Sequence, residues 1–153
     1  MSWNTQFVFA VQALALMAMA DDTPMTSEVI ASSVNTNPVV IRRMLCDLAR
    51  AKLVTSQIGA GGGFRLRRRP RAISLLDVYQ ATEADGVFCL RRRGNSRPNP
   101  HCPVGRNIEA ALQDVHTRAN RAMEDVLSTI TVDDLLRDLR LRAAVSAKPR
   151  APR

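Results

Sequence analysis

Three side chains near one another late in the sequence have the types that do chemistry: Cys89, His101 and Cys102, with a third cysteine, Cys46, standing apart. A structural zinc ion takes four nitrogen or sulfur ligands, and this group offers three at irregular spacing. An iron-sulfur cluster is held by several thiolates, and the loop carries two. A thiol switch asks for accessible, easily ionised thiols, and Arg91, Arg92, Arg93 and His101 supply the positive surroundings that favour a thiolate. The competing reading is a pair of ordinary reduced cysteines in a loop. Cys46 follows Leu45 in an apolar stretch and is expected to pack. No metal site and no resident cofactor are expected. Nor is an enzyme: His101 and His116 lack a nucleophile–base arrangement, and Glu124-Asp125 reads as the wet face of a helix.

A second cluster is Gly59-Ala60-Gly61-Gly62-Gly63. A phosphate-binding P-loop would end in Gly-Lys followed by Ser or Thr, whereas Phe64-Arg65 follows here. A dinucleotide fingerprint needs a helix directly after the glycines, but Phe64-Arg65-Leu66 alternates like a strand. The glycines therefore read as a hairpin tip, which brings backbone close to phosphates or a groove with no side chain in the way.

The partner is suggested by charge. The chain has 153 residues, 22 basic against 14 acidic, for a net charge of +8. A surplus of this sign favours a polyanion such as nucleic acid. It is unevenly placed: residues 1–76 hold nine basic and four acidic side chains, while residues 107–136 hold two basic and six acidic. The polyanion is thus expected at the N-terminal half.

The length suits one domain, or a small domain with a helical appendage, and 46% hydrophobic residues suffice for a core. Three cysteines do not make a disulfide scaffold, which fits a reducing cytoplasm. The apolar run from Phe7 to Ala20 is too short to span a bilayer, and no Lys or Arg precedes it to start a signal peptide, so it is expected to be a core helix. That helix is predicted over Thr5 to Met19. Asp21-Asp22-Thr23-Pro24 ends it, and Thr26 is placed to cap a short helix reaching Ser33, with Glu28 in its first turn. Asn35-Thr36 turns, and Asn37-Pro38 starts a third helix with Ile41, Met44, Leu45 and Leu48 on one face and Arg42 and Arg43 off it. Two strands flank the glycines, residues 53–58 and 64–67. This order is that of a winged helix-turn-helix, whose third helix fits the major groove of B-DNA. A short helix capped by Ser74 follows, then a loop over about 86–103. A long helix over about Val104 to Leu127 has Ile108, Leu112, Val115, Ala119, Ala122 and Val126 in heptad-like steps, which predicts self-association. The basic stretch from Arg137 to Arg153, ending in Lys148-Pro149-Arg150-Ala151-Pro152-Arg153, is expected to be disordered.

Asn37-Pro38-Val39-Val40-Ile41-Arg42-Arg43, the glycine string with Phe64-Arg65-Leu66, Ile73-Ser74-Leu75-Leu76-Asp77-Val78-Tyr79, and His101-Cys102-Pro103-Val104-Gly105 resemble the bacterial regulator family that includes IscR, NsrR and CymR. The likeness runs from about Asn4 to Leu139, and its wording is most similar to the YwnA-like members. It implies a homodimeric transcription factor, usually a repressor, that binds a palindromic operator in double-stranded DNA. The expected architecture is mainly α with a small β-hairpin wing: a winged helix-turn-helix over 1–82, a cysteine-bearing sensor loop over 83–103, a dimerisation helix and short terminal helix over 104–140, and a basic tail over 141–153. DNA contacts are expected from Thr26, Ser27, Asn37, Val39, Val40, Arg42, Arg43, Gln57, Gly61, Gly62 and Arg65, and redox sensing from Cys89 and Cys102. The chain departs from its relatives in two places. Iron-sulfur members carry three closely spaced loop cysteines, against two here. Several relatives place an Arg just before the wing glycines to enter the minor groove. Ile58 stands there in this chain, which leaves Arg65 or Gln57 for that part. The alternatives are a constitutive architectural nucleic-acid-binding protein, or a regulator that answers to an iron-sulfur cluster or a small ligand.

Overall fold

The computed structural model describes residues 5–82 and 98–146; the loop expectations for Cys89 and Arg91 to Arg93 lie outside them. The described chain is six helices and one two-stranded antiparallel sheet. Helix α1, Thr5–Met19, buries Ala10, Ala13, Leu14, Ala15 and Met17. The alanines let neighbouring helices approach its backbone closely, so α1 forms the floor of the core. Helix α2, Ser27–Val34, starts where Thr26 Oγ1 accepts from Val29 N at 3.4 Å and stops at Asn35, whose φ of 56° is the left-handed cap. Helix α3, Pro38–Arg50, begins as predicted: Asn37 Oδ1 accepts from Val39 N at 2.8 Å, and Pro38 occupies the first helical position, where its missing N–H costs nothing. The four residues of its predicted apolar face, Ile41, Met44, Leu45 and Leu48, are all buried.

Strands β1, Val54–Gln57, and β2, Gly63–Leu66, pair in the register Val54↔Leu66, Thr55↔Arg65, Ser56↔Phe64 and Gln57↔Gly63. Val54 reaches the core, while Ser56 and Gln57 are exposed. The hairpin is fixed to the start of α2 by a two-way bridge: Met25 N donates to Phe64 O at 2.9 Å and Phe64 N to Met25 O at 2.8 Å. A Cβ on Gly63 would lie 2.6 Å from Met25 O, so only glycine allows that approach.

After a 3-10 turn at Pro70–Ala72, helix α4 spans Leu75–Thr82. Ser74 and Asp77 cap it reciprocally: Asp77 N donates to Ser74 Oγ at 3.1 Å and Ser74 N to Asp77 Oδ2 at 2.9 Å. Helix α5, Pro103–Thr129, has no buried residue along its 27 positions. Helix α6, Val132–Ser146, opens with the same device, Thr131 N donating to Asp134 Oδ2 at 3.0 Å and Asp134 N to Thr131 Oγ1 at 3.2 Å.

Two expectations are corrected here. The basic stretch is helical to Ser146 instead of disordered from 141. Arg137 with Asp133 at 2.9 Å, and Arg142 with Asp138 at 2.6 Å, are helix-spaced ion pairs that support it, and Asp133 and Asp134 suit the positive end of the helix. Further, the short terminal helix is expected to group with the dimerisation helix over 104–140, whereas Val132 and Leu136 are buried in the core formed by α1, α3 and α4, so this helix packs with the winged domain. No helix of the described residues is long and apolar enough to cross a membrane.

Candidate nucleic-acid interface

The outer face of α3 and the wing tip present the expected contact residues unevenly. Val39 is 65% and Val40 42% exposed in the first turn of α3, beside exposed Asn37. Short apolar groups there match the thymine methyl, and Asn37 spends its side-chain oxygen on the helix cap and keeps its amide N–H groups. The two arginines diverge. Arg42 turns to α2, where its Nη2 donates to Glu28 Oε1 at 2.8 Å and to Ser27 Oγ at 3.3 Å. Arg43 lines an open cleft with Gln6, Asp47, Arg50, Gln80 and the small side chains of Ala51 and Ala81. Consecutive helix residues stand about 100° apart, so a pair adjacent in sequence does not act as one patch.

Ser27 is buried, and its hydroxyl donates to Glu28 Oε1 at 3.1 Å. It braces α2 against α3 instead of facing outward as the sequence reading placed it. Thr26 is exposed but holds the α2 cap. In the wing, Gln57 and Arg65 are exposed, and Gly61 has φ +75°. A Cβ on Gly62 would meet Gln57 O at 2.3 Å, so the tip turns tightly on glycine. Ile58 is 97% exposed at that tip. Cys46 is exposed, not packed, because it falls off the Ile41–Leu48 stripe. Sequence reasoning missed the Glu28–Arg42 pair. Its members are fourteen positions apart across a turn, and Glu28 carried only the signal of a helix-start acid.

Cys102 is half-buried at the N-cap of α5. The backbone N–H of Gly105, and then that of Val104, hold its thiol below the ordinary cysteine value. Backbone N–H groups at the start of a helix favour the thiolate, so the reactive form is present at lower pH than in a free cysteine. Alkylation by iodoacetamide, followed site by site by mass spectrometry, is expected to rise with pH at Cys102 with a midpoint below that of free cysteine. A midpoint at or above it would refute this assignment.

The apolar heptad-like residues of α5 all face outward: Ile108, Leu112, Val115, Ala119, Ala122 and Val126 are exposed. A second uncovered apolar surface is a groove of about 660 Å³ between α1 and α6, lined by Phe7, Val8, Val11, Leu16, Leu75 and Leu135 among others. Among the described residues no group of three or more His, Cys, Asp or Glu side chains is gathered as a metal site would require. With Cys46 on the outer face of α3, the loop's Cys89, His101 and Cys102 make three donors, short of the four protein ligands that a cluster of iron and sulfide ordinarily takes. The donor set does not fit such a cluster.

The chain matches the family model for Rrf2, described as iron-dependent transcriptional regulators, over residues 3–138. It is 39% identical over 137 residues to YwnA of Bacillus subtilis (strain 168), named as an HTH-type transcriptional regulator, covering 89% of this chain and 98% of that one. Among solved structures, one described as a DNA-binding protein superposes with a TM-score of 0.68 at 39% identity, covering 86% of this chain and 98% of that one. A transcriptional regulator from Lactobacillus plantarum superposes with a TM-score of 0.76 at 26% identity, covering 94% and 98%.

Proposed function

This chain belongs to the Rrf2 family of transcriptional regulators, and from that premise we propose that it acts in the cytoplasm as a homodimeric, sequence-specific repressor whose two winged domains grip a palindromic operator in double-stranded DNA. The observation that carries this reading is the outer face of α3, where exposed Val39 and Val40 stand beside an Arg42 held by Glu28, in a domain whose hairpin turns on glycine backbone. Two-fold DNA calls for a two-fold protein. The exposed stripe of α5 and the groove between α1 and α6 supply the apolar surface that a second copy would cover.

The two arginines have separate parts in this reading. Arg42→Ala is expected to cost about 1–3 kcal/mol at a duplex selected from a random library, and to relax preference at one base pair. Arg43→Ala is expected to weaken selected and random duplexes alike, with a shallower salt dependence, as for a phosphate contact. Gel-shift titration of both variants across salt concentrations checks this; unchanged affinity in both would overturn it. A selected duplex bound no better than random DNA would favour a constitutive architectural protein instead.

A thiol response is the second part of the proposal, and the ionisable Cys102 at the foot of α5 favours it. Peroxide would oxidise the Cys89 and Cys102 thiols to a disulfide, with the two electrons and two protons reducing it to water. The bond needs Cα atoms within about 7 Å of one another. Operator binding by wild type and by the Cys89→Ser, Cys102→Ser double variant, reduced and peroxide-treated, separates this from a regulator that answers to a small ligand.

A further inference from the structure

We infer that Glu28 is the positioning residue for base reading: its carboxylate holds Arg42 so that the remaining guanidinium N–H groups meet the acceptors of a guanine. This rests on the DNA-binding reading given above. Three side chains close a ring. Arg42 Nη2 donates to Glu28 Oε1 at 2.8 Å and to Ser27 Oγ at 3.3 Å, while Ser27 Oγ donates to Glu28 Oε1 at 3.1 Å. Ser27 is only 5% exposed, so one corner of the ring is anchored in the protein. Both of the contacts made by Arg42 fall on Nη2, and among the described residues no partner takes its Nε or Nη1.

The pair does little for folding. Its side chains are 56% and 59% exposed, and an ion pair in water contributes little to stability. Its effect is instead on binding. A free arginine is a long flexible arm that loses rotamer freedom when it reads a base, and a braced one has already lost it. The brace is also a negative charge facing a polyanion, so Glu28 opposes DNA binding through the phosphates while favouring one geometry at the bases. The carboxylate is held below its usual range by its own backbone N–H, then by the Ser27 and Thr26 hydroxyls, so the charge persists at neutral pH.

Those opposed effects give a signature that loss of fold cannot mimic. The full-length protein is used to enrich duplexes from a random-centre library. Wild type, Glu28→Gln, Glu28→Ala, Arg42→Ala and the Glu28→Gln, Arg42→Ala double variant are then titrated against the enriched duplex, its single-base-pair variants and random duplex. Glu28→Gln and Glu28→Ala are expected to bind random duplex as tightly as wild type or more tightly, while discrimination at one base pair falls by about fivefold or more. In the Arg42→Ala background, Glu28→Gln is expected to change that discrimination by less than about twofold, because Glu28 acts through Arg42. Tighter binding everywhere with discrimination intact would make Glu28 a simple repulsive charge and overturn the inference. An effect of Glu28→Gln that persists without Arg42 would overturn it as well. A library that yields no enriched duplex would instead overturn the sequence-specific reading on which the inference rests.

Discussion

With Leu112→Asp and Val115→Asp together, the protein is expected to sediment as a monomer, and its affinity for a duplex carrying two half-sites is expected to fall by a factor on the order of 10² to 10⁴. The size of the loss follows from valency. In a dimer the second winged domain binds as a tethered partner at high effective concentration, and a monomer forfeits that gain whatever its contacts with one half-site. The position of the substitutions makes the test clean. Leu112 is 45% and Val115 59% exposed, so neither contributes to the core of its own chain. A two-fold interface repeats every change on both sides, so two substitutions set four carboxylates against apolar surface. Far-UV circular dichroism and single-half-site affinity are expected to stay near wild type. An intact dimer in sedimentation, or undiminished binding to the two-half-site duplex, would remove the α5 stripe from the interface.

The same stripe shows how far the sequence could be read. Helix starts marked by a local rule were legible. Asn37-Pro38 and Thr26 cap their helices as their types demand, and the step from Ile41 to Leu48 named four residues that are buried. What escaped were relations between distant segments, which leave no local pattern. The Met25–Phe64 bridge that anchors the wing is one, and the Glu28–Arg42 pair is another. Ser27 was misplaced because a serine after a cap reads the same whether it faces out or braces a neighbour. Cys46 was legible and overlooked: its angular position on α3 lies off the apolar stripe, as its exposure confirms. For α6 the basic residues dominated the reading, since Arg137, Arg140 and Arg142 mask the apolar Val132 and Leu136. A subtler signal was available there. Ile73-Ser74-Leu75-Leu76-Asp77 and Ile130-Thr131-Val132-Asp133-Asp134 share one pattern, an isoleucine, a hydroxyl cap and an aspartate three positions on.

That shared pattern marks two helix starts clipped to each other, and the clip carries the second large expected effect: truncation after Thr129 is expected to unfold the winged domain, although it removes no residue of that domain's own contiguous stretch. Leu75 N donates to Ile130 O at 2.8 Å and Val132 N to Ile73 O at 2.9 Å, so the first turn of α6 extends the backbone hydrogen bonding of the segment that opens α4. Val132 is wholly buried and Leu136 is 4% exposed, both in the same core as Leu14, Leu45 and Val78. A buried Leu→Ala change costs about 2–5 kcal/mol, and fully burying a Val side chain is worth about 1.5–3 kcal/mol. The Val132→Ala, Leu136→Ala double variant is therefore expected to lose several kcal/mol of a total that for a domain is about 5–15 kcal/mol. Its midpoint in calorimetry should fall on the order of 10 °C. Removing residues 130–153 adds uncovered core and two lost backbone partners, and should abolish the cooperative transition. Arg140→Ala, at an exposed position of the same helix, should leave the midpoint within about 2 °C, as surface changes usually do. If the truncated chain melted cooperatively near the wild-type temperature, the winged domain would be complete at residue 82, and α6 would belong with the long helix after all.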